Sequence, residues 1–206
     1  MPKLALILYA GFLFVAFVWR SWLQYRRTGD SGVRHPSASA APLEWLASVL
    51  VIVGFVAIPA VCIGLISGWF DLLAVPVWVS AFGLLIAALG AAITLIAQIQ
   101  MGESWRIGQS ADEQTSLVTR GLFIHVRNPI FSGLLVFGLG FVLLVPSVAI
   151  LPALLVLAAA IVLQVRFVEE PCLIRRHGDA YLSYAQRVGR FVPRVGRFPP
   201  KKQRPT

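Results

Sequence analysis

Two stretches of this chain carry residues able to do chemistry. The first begins Met101-Gly102-Glu103-Ser104-Trp105-Arg106 and ends Arg127-Asn128-Pro129-Ile130-Phe131. The second holds Glu169-Glu170, then His177 to Tyr184, then Arg190-Phe191-Val192-Pro193. An arginine fork can grip a carboxylate through two parallel hydrogen bonds. Adjacent carboxylates can meet a cation. A double Glu at the end of an apolar segment is costly unless partnered or solvated, so Glu169 and Glu170 call for a counterpart. Plainer readings exist for each residue. Asn128 and Pro129 suit the N-cap and first residue of a helix. Arg127 suits an interfacial anchor, and Trp105 an interfacial aromatic belt. Arg166 and Glu170, four residues apart, suit a surface ion pair. The three histidines, His35, His125 and His177, are too scattered for metal-ligand spacing.

The elements that must position these residues are apolar spans. The chain has 206 residues, 58% hydrophobic and 13% charged, with a mean hydropathy of +0.79. The charged share is about half the roughly 25% of an average soluble domain. That leaves too little polar surface for a water-soluble globule, and the apolar residues come in runs long enough for a bilayer. The first run is Leu4 to Leu23, and Trp19-Arg20-Ser21-Trp22 is no cleavage site, so it reads as a retained span. A second span is expected from about Leu46 to Ile66, with Pro59 a candidate kink, and a third from Ala74 to Ile99. The stretch from Ile130 to Phe167 is too long for one span and carries Pro146-Ser147 near its middle. It reads as a tight helical hairpin. Gly133, Gly138 and Gly140 in its first arm suit close helix packing, as do Gly54, Gly64, Gly83 and Gly90 elsewhere. The expected fold is therefore all-α, a polytopic integral membrane protein with five transmembrane helices.

Charge placement sets the expected orientation. The net charge is +9. Every Lys and Arg except Lys3 falls in the first loop, the third loop or the tail. Five spans place all three on the cytoplasmic side, with the N-terminus outside. Basic residues beside apolar spans point to anionic lipid headgroups, above all for the tail from residue 195 to 206, and away from nucleic acid. Cys62 and Cys172 are expected on different sides of the bilayer boundary and hence unpaired. The hairpin brings Arg127 and Glu169 to one membrane face, where a pocket can form beneath loop and tail.

The motifs, taken in order, resemble the isoprenylcysteine carboxyl methyltransferase and phospholipid methyltransferase superfamily. Leu117-Val118-Thr119-Arg120-Gly121-Leu122-Phe123 is similar to its Leu-Val-x-x-Gly-x-Tyr/Phe element. Arg127-Asn128-Pro129-Ile130-Phe131 is similar to Arg-His-Pro-x-Tyr, followed by a hydrophobic hairpin and Glu169-Glu170. Gly178, Tyr181, Tyr184 and Arg190-Phe191-Val192-Pro193 complete the pattern, which covers residues 100–194. Asn128 stands where the family has His, Phe131 where it has Tyr, and Thr115 where a His is frequent.

The resemblance implies S-adenosylmethionine as cofactor and methyl transfer to a lipophilic, isoprenoid or lipid-like acceptor at the cytoplasmic face. It divides the chain into a three-span region, 1–99, a methyltransferase core, 100–194, and a basic tail. It assigns catalysis to Arg127 and Glu170. It assigns cofactor binding to these two and to Leu117, Val118, Gly121, Phe123, Asn128, Pro129, Phe131 and Glu169. Arg127 would pair with the cofactor's carboxylate, the two Glu with its positive groups, and Phe123 and Phe131 with its adenine. Trp105 would line the acceptor pocket. Two rivals share the region: an NADPH-dependent membrane reductase of the sterol-reductase type, and a non-catalytic scaffold. A bacterial inner membrane fits the Arg-rich, Ala/Val/Leu-rich composition.

Overall fold

The computed structural model describes residues 1–34, 41–108 and 116–199. His35, Thr115 and the last basic residues of the tail lie outside them. The described residues are helical, with no strand. Five helices carry the fold: α1 (Pro2–Thr28), α2 (Pro42–Ile66), α3 (Val77–Met101), α4 (Pro129–Leu144) and α5 (Ile150–Arg187). Four of them are long and apolar enough to cross a membrane, and α4 is a shorter apolar helix of 16 residues. The expected hairpin is present as α4 and α5, joined across Pro146-Ser147.

Helix α1 runs further than expected, through Thr28, although it carries Arg20 and Gln24. Both side chains are buried and both find backbone partners. Arg20 donates to Gly102 O at 2.6 Å, and Gln24 Nε2 to Glu103 O at 2.7 Å. The polar end of α1 is thus consumed by the loop after α3, which keeps it helical.

Helix α4 is shorter than a 30 Å hydrocarbon core needs, at about 1.5 Å per residue. Its neighbours bury it instead. Phe137 and Phe141 pack with Tyr9 and Phe12 of α1. On the side toward α3, Gly133 and Gly140 let the two backbones touch. A methyl group on Gly90 would overlap the Phe137 backbone, and one on Gly140 the Ala87 backbone. Without a hydrophobic driving force between spans, such close packing supplies much of the association.

The helix ends sort by charge. At one end, Leu73 N donates to Pro146 O at 2.8 Å, joining the two Arg-free turns. At the other, Arg34 N donates to Ile107 O at 2.8 Å, and Arg127 N to Gly189 O at 2.8 Å. These bonds gather the three basic segments at a single end.

One buried ion cluster closes that end. Glu170 is 4% exposed and receives two arginines. Arg127 Nη2 donates to its Oε1 at 2.6 Å, while Arg190 Nε and Nη2 donate to Oε1 and Oε2 at 2.8 and 2.9 Å. Glu170 in turn holds Arg190 more firmly protonated than usual. Arg166, the expected partner, is exposed and takes no part in the cluster. A regular turn would bring it beside Glu170, but Gln164–Glu169 forms a π turn that shifts the register.

Two predictions follow from this packing. Gly90→Ala forces the α3 and α4 backbones apart and costs about 1–3 kcal/mol. Gly138→Ala meets only the flexible end of Leu154 and leaves the melting temperature in detergent nearly unchanged. Glu170→Ala strands two arginines at a buried site and costs about 3–5 kcal/mol. Arg166→Ala leaves the same melting temperature where it was.

Candidate functional site

A chamber of about 410 Å³ opens at the basic end. That volume suits a small-molecule site. Its walls come from all five helices and both Arg-bearing loops. Leu117, Val118, Phe123, Arg127, Asn128, Pro129, Phe131 and Glu169 border it, and so does Trp105. The structure therefore gathers these nine sequence-selected residues around one cavity. Gly121 and Glu170 do not border it.

Gly121 sits behind the wall. Its φ of +64° opens a 3₁₀ turn, Gly121–Ile124, and a methyl there would strike the Gln100 side chain. Gln100 Oε1 instead accepts from Leu122 N at 2.7 Å. The turn brings Phe123 inward, and its carbonyl accepts from Tyr184 Oη at 2.6 Å.

Arg127 is used differently from the expectation. Its guanidinium has five N–H donors. Nη1 gives to Ala185 O at 3.0 Å and Val188 O at 2.6 Å. Nη2 gives to Glu170 and to Gly196 O at 3.1 Å. The Phe198 ring covers Cζ at 5.0 Å. Both fork ends are thus committed to protein, and only Nε is without a hydrogen-bond partner. This corrects the bidentate grip on a cofactor carboxylate, because no two parallel donors remain. It corrects Glu170 as a partner for cofactor cations too, since two arginines already hold it.

Asn128 occupies the N-cap of α4 with Pro129 following, as the spacing implied, but its side chain makes no cap bond. Its Nδ2 donates to Arg190 O at 3.2 Å, and Ser132 Oγ donates to Phe191 O at 2.7 Å. The Arg190-Phe191 segment is thereby pinned over the start of α4.

Trp105 is only 2% exposed and stacks under Arg20, whose Cζ lies 4.5 Å from the ring centroid. It is a wall residue rather than a member of an interfacial belt. The loop beside it is braced by the Arg34–Asp30 ion pair, in which Arg34 and the Gly32 amide hold the Asp30 carboxyl down at about 2.

Several wall residues escaped the sequence reading. Phe17, Trp45, Ser48, Phe55 and Gln98 come from the first three helices, so the chamber extends beyond the 100–194 region. Gln164, from α5, escaped too, whereas His177 and Tyr181 of the same helix belong to a stretch the sequence had singled out. In a regular helix Gln164 and Glu169 would sit about 140° apart. The π turn between them brings both to the chamber. Gly178, at φ +52°, then bends α5. Among the described residues, the buried side-chain polar atoms lacking a hydrogen-bond partner are Gln98 Oε1, Arg127 Nε, Gln164 Oε1, His177 Nε2 and Tyr181 Oη. All belong to residues that border the chamber. Tyr181 Oη lies near the Arg127 guanidinium without meeting it in hydrogen-bond geometry. Buried polar groups are normally satisfied, so a cluster of orphans marks a place built for a ligand or for water.

Known proteins give this geometry a context. The family model described as phospholipid methyltransferase matches residues 78–180. The Arabidopsis thaliana protein-S-isoprenylcysteine O-methyltransferase B is 31% identical over 119 residues, which is 56% of this chain and 60% of that protein. The chain thus matches less than two thirds of that relative's length. In fold, it is similar to the structure of the eukaryotic intramembrane Ras methyltransferase, isoprenylcysteine carboxyl methyltransferase. The TM-score is 0.61 at 19% identity, over 97% of this chain and 70% of that one. The matched residues, 78–180, run from α3 through the hairpin to the chamber face of α5, and on that match the chain is an integral membrane protein belonging to the phospholipid methyltransferase family.

Proposed function

We propose that this protein transfers a methyl group from S-adenosylmethionine to a lipid-like acceptor at the cytoplasmic face of the membrane. The observation that carries this reading is the chamber, where one carboxylate-bearing wall meets aromatic side chains and unpartnered polar atoms.

The residues present fit such a cofactor. It offers an ammonium, a carboxylate, a sulfonium and a purine. Glu169 stands on the wall to meet positive charge. Arg127 Nε and the second N–H of Asn128 Nδ2, whose first serves Arg190 O, are donors at the start of α4 that could meet a carboxylate. Phe123, Phe131 and Tyr181 supply ring faces for a base. When bound, the cofactor supplies an electrophilic methyl carbon for in-line displacement. The protein's part is alignment and exclusion of water, since such a transfer needs no metal. Arg127, Glu170 and Arg190 act as positioning residues, holding the Arg190–Phe198 segment against the chamber's edge.

Acceptor entry from the bilayer is supported by α2. Trp45, Val49, Ile52 and Phe55 form a stripe along one face of that helix and border the chamber. Ile52 is at the same time 63% exposed on the apolar surface. A lipid tail can therefore enter sideways while the cofactor enters from the basic end. The basic segments gathered at that end support a cytoplasmic orientation and contact with anionic headgroups.

Titration of S-adenosylhomocysteine into detergent-purified protein tests the reading. The wild type binds saturably. Glu169→Gln weakens binding about 10–100-fold, the range for losing a charge-assisted contact, in protein whose helical content shows that it is folded. Saturable binding that is unchanged in this variant removes Glu169 from the site. Absence of binding by folded wild type removes methyl transfer from this cofactor altogether.

A further inference from the structure

Pro59 lies inside α2, and a proline there costs the helix a bond at a definite place. It has no N–H to give to the carbonyl of Phe55, four residues earlier, and its ring crowds that same carbonyl. In a membrane span such a freed group needs a partner from a neighbouring helix. Tyr9 of α1 supplies it: its hydroxyl donates to Phe55 O at 2.8 Å. The Tyr9 ring packs against Phe137 and Phe141 of α4, so one side chain of α1 joins α2 to α4 near the proline.

That bond falls where the packing of α2 changes. Gly54, Ile58, Val61, Cys62 and Gly64 are buried, and a methyl on Gly54 would strike the Leu157 backbone of α5. Before Gly54 the helix is held loosely, with Leu46, Val49, Ile52 and Val53 exposed. Yet this is the half whose Trp45, Val49 and Ile52 border the chamber. Its direction is set between Gly54 and Pro59, by the contact with Leu157 and the bond from Tyr9. We infer that Tyr9 is a positioning residue for the lipid-like acceptor: by holding the carbonyl that Pro59 frees, it fixes the first half of α2 as the acceptor's wall. This rests on reading the chamber as a lipid-acceptor site. The residues offered to the cofactor, Glu169, Arg127 and Asn128, come from α5 and the start of α4, and none lies on α2.

Binding to the full-length protein in detergent tests this role, with tritiated farnesol as the acceptor probe and S-adenosylhomocysteine as the cofactor probe. Tyr9→Phe keeps the ring contacts and removes only the bond. The first half of α2 is then in its binding geometry for a smaller fraction of the time, and apparent affinity falls with that fraction. Farnesol is expected to bind about tenfold more weakly, the size of one neutral hydrogen bond, with S-adenosylhomocysteine binding unchanged. Pro59→Ala gives Phe55 O its helical donor back, so adding Tyr9→Phe to that variant is expected to weaken farnesol no further. Unchanged farnesol binding in Tyr9→Phe overturns the inference, and so does an equal loss for both probes, which marks general destabilisation. A loss from Tyr9→Phe as large in the Pro59→Ala background as in the wild type overturns it too, because the freed carbonyl then plays no part. Absence of saturable farnesol binding by the wild type overturns the assignment of this wall to the acceptor. If farnesol behaves as expected but S-adenosylhomocysteine does not bind, the methyl-transfer reading fails and the positioning role of Tyr9 stands.

Discussion

A carboxylate that water barely reaches fixes the basic end of this protein. Glu170 is tolerable there only because Arg127 and Arg190 approach it from two different segments. An isolated buried charge is far too costly, so the three residues must assemble together or not at all. Their assembly brings the loop before α4, the extension of α5 and the final segment into register. The same arginine fork that reaches Glu170 also collects the carbonyls of Ala185, Val188 and Gly196. The chamber inherits its edge from this cluster.

The other constraint is distance between backbones. Glycines along α3 and α4 let a 16-residue helix sit inside a ring of longer ones. Asn128 and Pro129, at the start of that helix, border the chamber. The short helix and its glycines thus belong to the site as much as to the fold.

Much of this was legible in the residues. Apolar runs, the Pro146-Ser147 interruption and the Lys/Arg distribution foretold a helical membrane protein with a hairpin, and the ordered motifs foretold the family. The nine wall residues named from those motifs do meet around one cavity. What escaped has physical causes. Partner choice within a charged cluster depends on three-dimensional approach. Glu170 therefore looked able to pair with Arg166 or to meet a ligand's charge, whereas its oxygens are held by Arg127 and Arg190. Arg127 looked like a free fork because no motif shows that backbone carbonyls at 185, 188 and 196 converge on it. Gln164 was invisible because helical periodicity of 3.6 residues fails across a π turn. Gln98, Phe17, Trp45 and Phe55 were invisible because apolar spans give no sign of which face turns inward.

The central claim is that the chamber is where cofactor and lipid meet. The most direct measurement is amide hydrogen exchange on purified protein with and without S-adenosylhomocysteine. Exchange reads local opening along the whole chain. The account predicts slower exchange confined to the chamber's cofactor wall, at 117–128 and 169–181, with the Arg-free turns at 67–76 and 145–149 unaffected. Protection at those turns instead, or a saturable complex with no change at the chamber wall, would contradict it.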